Sequence, residues 1–323
     1  MKDNLKQEGL DLEWLILAFL GTVFFSGAGV LDKLLLSKCT NDSKAYIVCQ
    51  VLAQQLFTIP VILIEGPKFM YPESLIAMLF GCLQIFPAFF YMKAMQTEEA
   101  SKVSAMEYVY PVFVFIGSVF LFGEVLDLKC CAGGLLLIVG TLLLSYKKNA
   151  IRSGSNSRGP KILTNLVALS PAIKPFMSYW ILTAIYYLSL KYLLVSMDEW
   201  HLYTWSSLGS LMVVLPLLSK QSIRSEVTDF FAGGGVAVGA LISEEIFQFL
   251  GLIFSMFAYA IGSVTLVSSV GALQPILTVL LILGLGVLAP KLAKEMNERT
   301  DRRALVQKGI SFLVVMIGIY FVS

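Results

Sequence analysis

The sequence contains an internal repeat whose two copies are displaced by about 160 residues. The clearest match aligns Ser101–Pro111 with Thr265–Pro275, pairing serines, valines and the terminal prolines. The same register, continued upstream without a gap, places Gln84 on Gln248. The chain is therefore a duplication, and we expect a fold built from two related halves.

Composition places both halves in a membrane. The chain is 57% hydrophobic and 14% charged, with a mean hydropathy of +0.78, whereas about a quarter of the residues of soluble domains are charged. Apolar runs long enough to cross about 30 Å of hydrocarbon recur along its whole length. They predict ten spanning helices, at residues 14–33, 45–64, 74–95, 103–123, 128–146, 175–196, 202–219, 239–261, 263–288 and 304–322.

Five spans per copy predict an all-α integral membrane protein of two inverted repeats. An odd number of spans makes the second copy begin on the opposite side of the bilayer, and inverted repeats are typical of secondary transporters that work by alternating access. We predict a first repeat at 1–146, a polar linker at 147–174 and a second repeat at 175–323. A second polar loop, Pro290–Arg303, has the charge pattern of a short surface helix.

The polar ends of the chain give two further expectations. The first span follows a short leader without a small-residue cleavage site, so we expect it to be retained. Lys and Arg divide 18 to 5 between the two faces, which predicts a cytoplasmic linker and external termini by the positive-inside tendency.

Ionisable groups inside spans are costly, and each is a candidate for function. Glu244 and Glu245 lie in the eighth predicted span, about 100° apart around its axis, so only one can face a central cavity squarely. We expect Glu245 to do so, because Gln248 shares its face, and we treat both glutamates as candidate proton carriers. Snorkelling to the interface, or hydrogen bonding between helices, is the alternative for the pair.

The paired glutamines are the candidate substrate contacts. Gln84 and Gln248 occupy equivalent positions inside apolar helices, where two amides near a pseudo-twofold axis could hold a polar substrate from both sides. They could equally join helices by interhelical hydrogen bonds. Tyr91 lies on the face of Gln84 and could supply a hydroxyl or a stacking surface, or simply pack between helices.

Two further pairs occupy matching repeat positions. Lys33 and Lys191 end their spans, where a long side chain reaches the headgroups, so a gating role competes with a structural one. Pro111 and Pro275 each remove a backbone hydrogen bond inside a span, which predicts matched kinks that could act as hinges.

The remaining charged residues and cysteines carry weaker signals. Lys93 and Glu107 lie near the hairpin between the third and fourth spans and could pair with one another. The five cysteines lie in or beside apolar spans without CxxC spacing, which favours packing over metal or disulfide chemistry.

Several function classes are disfavoured. Catalytic signatures such as HExxH, GxSxG and the Walker sequence do not occur, and we place the single histidine, His201, in a loop. We therefore expect no enzyme, no cofactor and no metal site. A net charge of +2 without a basic, aromatic-interleaved cluster also argues against nucleic acid.

The segment Tyr91–Ser145 resembles the repeat signature of the drug/metabolite transporter superfamily, EamA type. In that signature a proline-bearing fourth helix ends in Gly/Phe-Leu-x-Glu and is followed by a glycine-rich fifth helix. Its marked positions are occupied here by Pro111, Glu124, Gly134 and Gly140. The lysines at positions 33 and 191 resemble the one that commonly closes the first helix of each repeat. The second copy keeps Pro275 and Gly318 but has Leu288 where Glu124 would fall.

The resemblance implies ten helices around a cavity formed mainly by the first, third, fourth, sixth, eighth and ninth. It also implies cytoplasmic termini, against the charge count. We expect an inner-membrane carrier of small polar metabolites such as amino acids, most plausibly an exporter, acting in the lipid bilayer as a monomer or homodimer. A nucleotide-sugar or divalent-cation carrier and a lipid flippase are the alternatives.

Overall fold

The structure is a computed structural model that describes residues 2–38, 42–107, 109–123, 128–145, 173–295 and 302–322. Within these ranges all regular structure is helical. The predicted linker, at 147–174, lies almost wholly outside the described residues, as does Glu124.

Fourteen α-helices and one 3₁₀-helix occur in these ranges. The first copy contains α1 (Lys2–Lys38), α2 (Ser43–Glu65), α3 (Glu73–Thr97), α4 (Ala100–Glu107), α5 (Tyr110–Phe122) and α6 (Leu128–Ser145). The second contains α7 (Ile173–Leu193), α8 (Glu199–Val214) with the 3₁₀-helix (Leu215–Ser219), α9 (Gln221–Ala232), α10 (Gly235–Ile261), α11 (Val264–Gly271), α12 (Gln274–Leu288), α13 (Pro290–Glu295) and α14 (Arg302–Val322).

Among the residues that the structure describes, six segments are long and apolar enough to cross a membrane. They are Glu13–Ser37, Ser43–Glu65, Glu73–Gln96, Glu199–Ser219, Gly235–Ile261 and Val264–Leu288. Tyr110–Phe122 and Val306–Gly318 are shorter apolar helices. Every predicted span therefore coincides with helix, although only six meet the length and hydropathy expected of a crossing on their own.

The two proline-bearing spans are interrupted rather than kinked. Pro111 is the second residue of α5, and Pro275 is the second residue of α12. Proline is well accommodated in the first turn of a helix, where its missing N–H has no intrahelical partner in any case. The chain therefore stops one helix and starts another at the same place in each copy.

Packing between the copies is reciprocal. Helix α1 packs on α10 and α12, and its counterpart α7 packs on α3 and α5. The two interrupted pairs cross in the same way, since α4 contacts α12 and α5 contacts α11. Each of these contacts made by one copy thus has an equivalent made by the other.

Helices α3 and α8 approach each other closely at two glycines. A Cβ atom added to Gly81 would lie 1.9 Å from the carbonyl oxygen of Ser206, and one added to Gly209 would lie 2.0 Å from that of Met78. The Ser210 hydroxyl donates to the Gly81 carbonyl at 3.0 Å. Only glycine permits this backbone contact.

The helix at Gln221–Ala232 was not expected from the sequence. Helix α9 is polar overall, yet Ile223, Val227 and Phe230 recur at helical spacing and are buried. It is an amphipathic connection between α8 and α10 without a counterpart between α2 and α3. The surface helix expected within Pro290–Arg303 appears as α13 over the described part of that loop.

Candidate functional site

A cavity of about 190 Å³ lies between the two copies. Its wall comes from α1, α2, α3, α4, α7, α8, α10 and α12, so both halves contribute. The polar residues on the wall are Asp32, Gln50, Gln54, Gln84, Tyr91, Glu107, Tyr179, Thr183, Tyr186, Tyr187, Ser210, Glu245, Gln248 and Gln274. Drug-sized ligands occupy pockets of about 300–1,000 Å³, so this volume suits a smaller molecule.

The structure brings the residues proposed from the repeat to this one cavity. Gln84 and Gln248 both lie on its wall, together with Tyr91 and Glu245. Glu244 does not line the cavity, and its side chain is fully buried. Adjacent helical residues point in different directions, which accounts for the separation of the two glutamates.

Glu244 has an unusual environment. Neither of its carboxyl oxygens has a hydrogen-bond partner, and the nearby Gln50 amide donates to Asp32 at 2.9 Å. Asp32 and Glu245 both lie within electrostatic range of Glu244. Burying an ionised carboxyl group without partners costs several kcal/mol, so an ionised Glu244 would be an expensive feature of the fold.

Asp32 is a cavity residue that the sequence argument missed. Its carboxyl accepts hydrogen bonds from the Tyr46 hydroxyl at 2.8 Å and from the Gln50 amide at 2.9 Å. Hydropathy placed it at the end of the first span, but α1 continues to Lys38 and carries it inward. The sequence signal that could have identified it is the presence of an acidic residue within an apolar run.

Glu107 is also on the wall, and the expected pairing with Lys93 is wrong. Its carboxyl accepts from the Tyr179 hydroxyl at 2.7 Å and from the Gln274 amide at 3.4 Å. Lys93 is exposed. Helix α4 ends at Glu107, so the side chain turns toward α7 and α12.

One face of α7 presents hydroxyl groups to the cavity. Tyr179, Thr183 and Tyr186 follow helical spacing, and the first of these donates to Glu107. The hydroxyls of Thr183 and Tyr186 are buried without any hydrogen-bond partner. Buried hydroxyls without partners cost free energy, so they mark places where a ligand could bind.

The two repeat-matched lysines do not line the cavity and do not snorkel. Lys33 donates to the carbonyls of Met95 and Glu98, at the carboxyl end of α3. Lys191 donates to the carbonyls of Tyr259 (2.6 Å) and Gly262 (2.8 Å), at the carboxyl end of α10. These acceptors are equivalent in the repeat register, and a cation at a helix carboxyl end is stabilising.

His201 lies in the first turn of α8 and not in a loop. Its side chain is buried, with one ring nitrogen against the Asp198 carboxylate and the other 3.1 Å from the Gly66 carbonyl oxygen. Partial burial of Asp198 acts in the opposite direction, but hydrogen bonds from His201 outweigh it and hold the pKa of Asp198 below its usual value. This contact ties the α2–α3 connection to the start of α8.

Comparison with known proteins gives a family for the first copy. The profile of the EamA-like transporter family matches residues 12–146. A solved structure described only as "Crystal structure of protein" is 17% identical, with 95% of each chain covered and a TM-score of 0.60. At that identity the likeness shows a shared fold alone. No curated protein matches the chain in sequence.

Proposed function

Because the chain carries an EamA-like transporter domain, consistent with the drug/metabolite transporter superfamily, we propose that it is a secondary transporter of small polar metabolites such as amino acids. The observation that carries the proposal is the polar cavity between the two copies, with a wall of amide, hydroxyl and carboxyl groups. Such a wall replaces the hydration shell of a polar solute that crosses the membrane.

We propose a ten-segment inverted repeat as the frame of this transporter. In it α4 with α5, and α11 with α12, each count as one interrupted crossing. The reciprocal packing of α1 on α10 and of α7 on α3 supports a pseudo-twofold relation, and so do the equivalent lysine contacts. An in-plane axis is tested by superposing residues 1–146 on 175–323. Alignment only about the membrane normal would contradict it.

Alternating access is the proposed mechanism, with the interruptions before Pro111 and Pro275 as hinges. Each interruption lies where α4 meets α12 and α5 meets α11. Turns that divide a spanning helix can absorb the backbone changes of a rocking motion. Gln274, the first residue of α12, also lines the cavity, so movement there would alter the wall directly.

We propose export coupled to a proton gradient through the eighth predicted span. Glu245 faces the cavity and lies beside the buried Glu244, so a proton taken up on this pair can be exchanged with the cavity. The Glu245→Gln variant in proteoliposomes should lose accumulation driven by a pH gradient but keep substrate counterflow. The matched control is Glu65→Gln, the same change at an exposed helix end.

The outcomes separate three mechanisms. Loss of gradient-driven accumulation in Glu245→Gln or Glu244→Gln, but not in Glu65→Gln, supports coupling through α10. Accumulation that survives both α10 replacements contradicts it and indicates coupling through another group. If the gradient drives no accumulation even in the unmodified protein, whereas counterflow occurs, the protein is a passive carrier. A screen of labelled metabolites with and without the gradient identifies the substrate and the direction.

The rival functions make different demands on the cavity. A nucleotide-sugar carrier must hold phosphate, which three wall carboxyl groups disfavour. A divalent-cation carrier would move metal ions in the same screen, and a lipid flippase would scramble labelled phospholipid in the liposome.

We propose the inner cell membrane as the location, with a cytoplasmic linker by the charge count, and a monomer or homodimer as the working unit.

A further inference from the structure

We propose that the transported solute is a small organic cation that carries a hydrogen-bonding group, held between Asp32 and Glu107 with that group on Thr183 and Tyr186. The inference rests on the proposed function, because it assigns a substrate class to the same cavity. Among small polar metabolites, it assigns solutes of net positive charge to the cavity in preference to zwitterionic amino acids.

The first argument is the charge of the wall. Asp32, Glu107 and Glu245 all line the cavity, and none of the described residues that line it is Lys, Arg or His. The two repeat-matched lysines donate to backbone carbonyls elsewhere. Opposite charges attract strongly at short range when they are partly shielded from water, and like charges repel equally. The carboxylate of an amino acid or a phosphate would meet only acids here.

The second argument is independent of charge and comes from α7. The hydroxyls of Thr183 and Tyr186 are buried on the cavity wall without hydrogen-bond partners. A solute hydroxyl or amine placed against them would supply the missing bonds. They share a helix face with Tyr179, which already donates to Glu107 at 2.7 Å. A cation beside Glu107 is therefore placed next to the same face of α7 that carries these two hydroxyls.

The third argument is the nature of the remaining wall. Tyr91, Tyr179, Tyr186 and Tyr187 all contribute to it, and the rings of Tyr186 and Tyr187 lie 5.4 Å apart edge to face. Aromatic faces attract organic ammonium groups by cation–π interaction. A metal ion would instead need several oxygens converging on one point, whereas Asp32 and Glu107 are each held by separate hydrogen bonds.

The test compares probes that differ in charge but not in shape. The first pair is choline and the alcohol in which a tert-butyl group replaces its trimethylammonium group, and the second is putrescine and butanediol. L-Glutamate, L-leucine and Mn²⁺ complete the set. Binding is measured as the rise in unfolding temperature of the purified full chain, since a ligand stabilises the state it binds. Counterflow in proteoliposomes measures transport.

We expect at least one cation to raise the unfolding temperature and to be transported in counterflow, and its neutral partner to do neither. Asp32→Asn and Glu107→Gln should each weaken that cation's binding at least tenfold, because a charge-assisted contact is lost. Thr183→Val should weaken it several-fold. Ser189→Ala is the matched control and should change nothing, since Ser189 lies on the same helix but bonds its own backbone at Ile185.

The contrary results are distinct. The cation assignment is overturned if the charged and neutral partners raise the unfolding temperature equally, or if L-glutamate or L-leucine binds more tightly. It is also overturned if only Mn²⁺ stabilises the protein, or if no cation has any effect. Exchange of a neutral or anionic solute would overturn it while leaving the transporter proposal intact. If Asp32→Asn fails to fold, the Glu107→Gln and Thr183→Val variants decide the matter alone.

Discussion

The contact between α3 and α8 gives the sharpest mechanical prediction. In Gly81→Ala the new Cβ would lie 1.9 Å from the Ser206 carbonyl oxygen and 2.9 Å from its Cα atom. The obstacle is backbone, so no side-chain rotation can relieve it. The two helices must separate locally by roughly 1.5 Å to restore an ordinary contact of about 3.4 Å.

Overpacking of this kind costs typically about 1–3 kcal/mol. The higher helix propensity of alanine offsets about 1 kcal/mol of it. The net loss is up to about 2 kcal/mol, which corresponds to a fall of up to roughly 5 °C in unfolding temperature for a chain of this size. Gln84 lies one turn beyond Gly81, and Ser210 follows Gly209, so the separation also displaces two residues of the cavity wall.

The measurement is thermal unfolding of the purified protein followed by a thiol-reactive dye, since Cys49 is buried in the fold. Counterflow should fall at least tenfold in the same variant, because positioning errors near 1 Å are costly at binding sites. Gly309→Ala is the control, because its Cβ would meet nothing within 4 Å. If both variants unfold and transport alike, the account of this interface is wrong.

Three further predictions concern other parts of the fold. Lys33→Met and Lys191→Met should lower the unfolding temperature by similar amounts, because each lysine donates to the carboxyl end of an equivalent helix; a gating role would instead abolish transport at unchanged stability. Asp198→Ala should destabilise by about 0.5–2 kcal/mol, since Asp198 caps α8. Partial burial acts to raise the pKa of Asp198, but hydrogen bonds hold it below its usual 3.8. The difference in free energy of unfolding between wild type and variant should therefore shrink as the pH falls below that value. Lys308→Met should cost about 3–5 kcal/mol because the buried Lys308–Glu99 pair at 3.6 Å is broken, and adding Glu99→Gln should recover part of the loss.

The sequence predicted the helices well because the bilayer demands long apolar runs. The repeat register also aligned Gln84 with Gln248, and both residues line one cavity; their contact with a substrate stays a prediction. Pro111 and Pro275 do occupy matching places in the two copies. A kink within one helix was expected at each, whereas the structure has two consecutive helices there. Hydropathy cannot distinguish the two, because both halves of each interrupted crossing are apolar.

Much of the cavity wall was not predicted. Asp32 was missed because hydropathy ended the first span one residue later, whereas α1 continues beyond it. Glu107 was assigned to a hairpin because the separate helix α4 was not foreseen. The hydroxyl face of α7 was missed although Tyr179, Thr183 and Tyr186 follow helical spacing. Their hydroxyl groups lower the mean hydropathy of the span only slightly, so the span was identified only as apolar.

The transporter proposal is tested most directly by the accessibility of the cavity from the two sides of the membrane. Gln248→Cys and Gln84→Cys, each in a background without native cysteines, are reconstituted in proteoliposomes and labelled with a membrane-impermeant thiol reagent added on one side at a time. Alternating access predicts labelling of both positions from either side, with a substrate of the transporter slowing it. Labelling from one side only, or none at either position, would contradict a cavity that opens alternately to both aqueous phases.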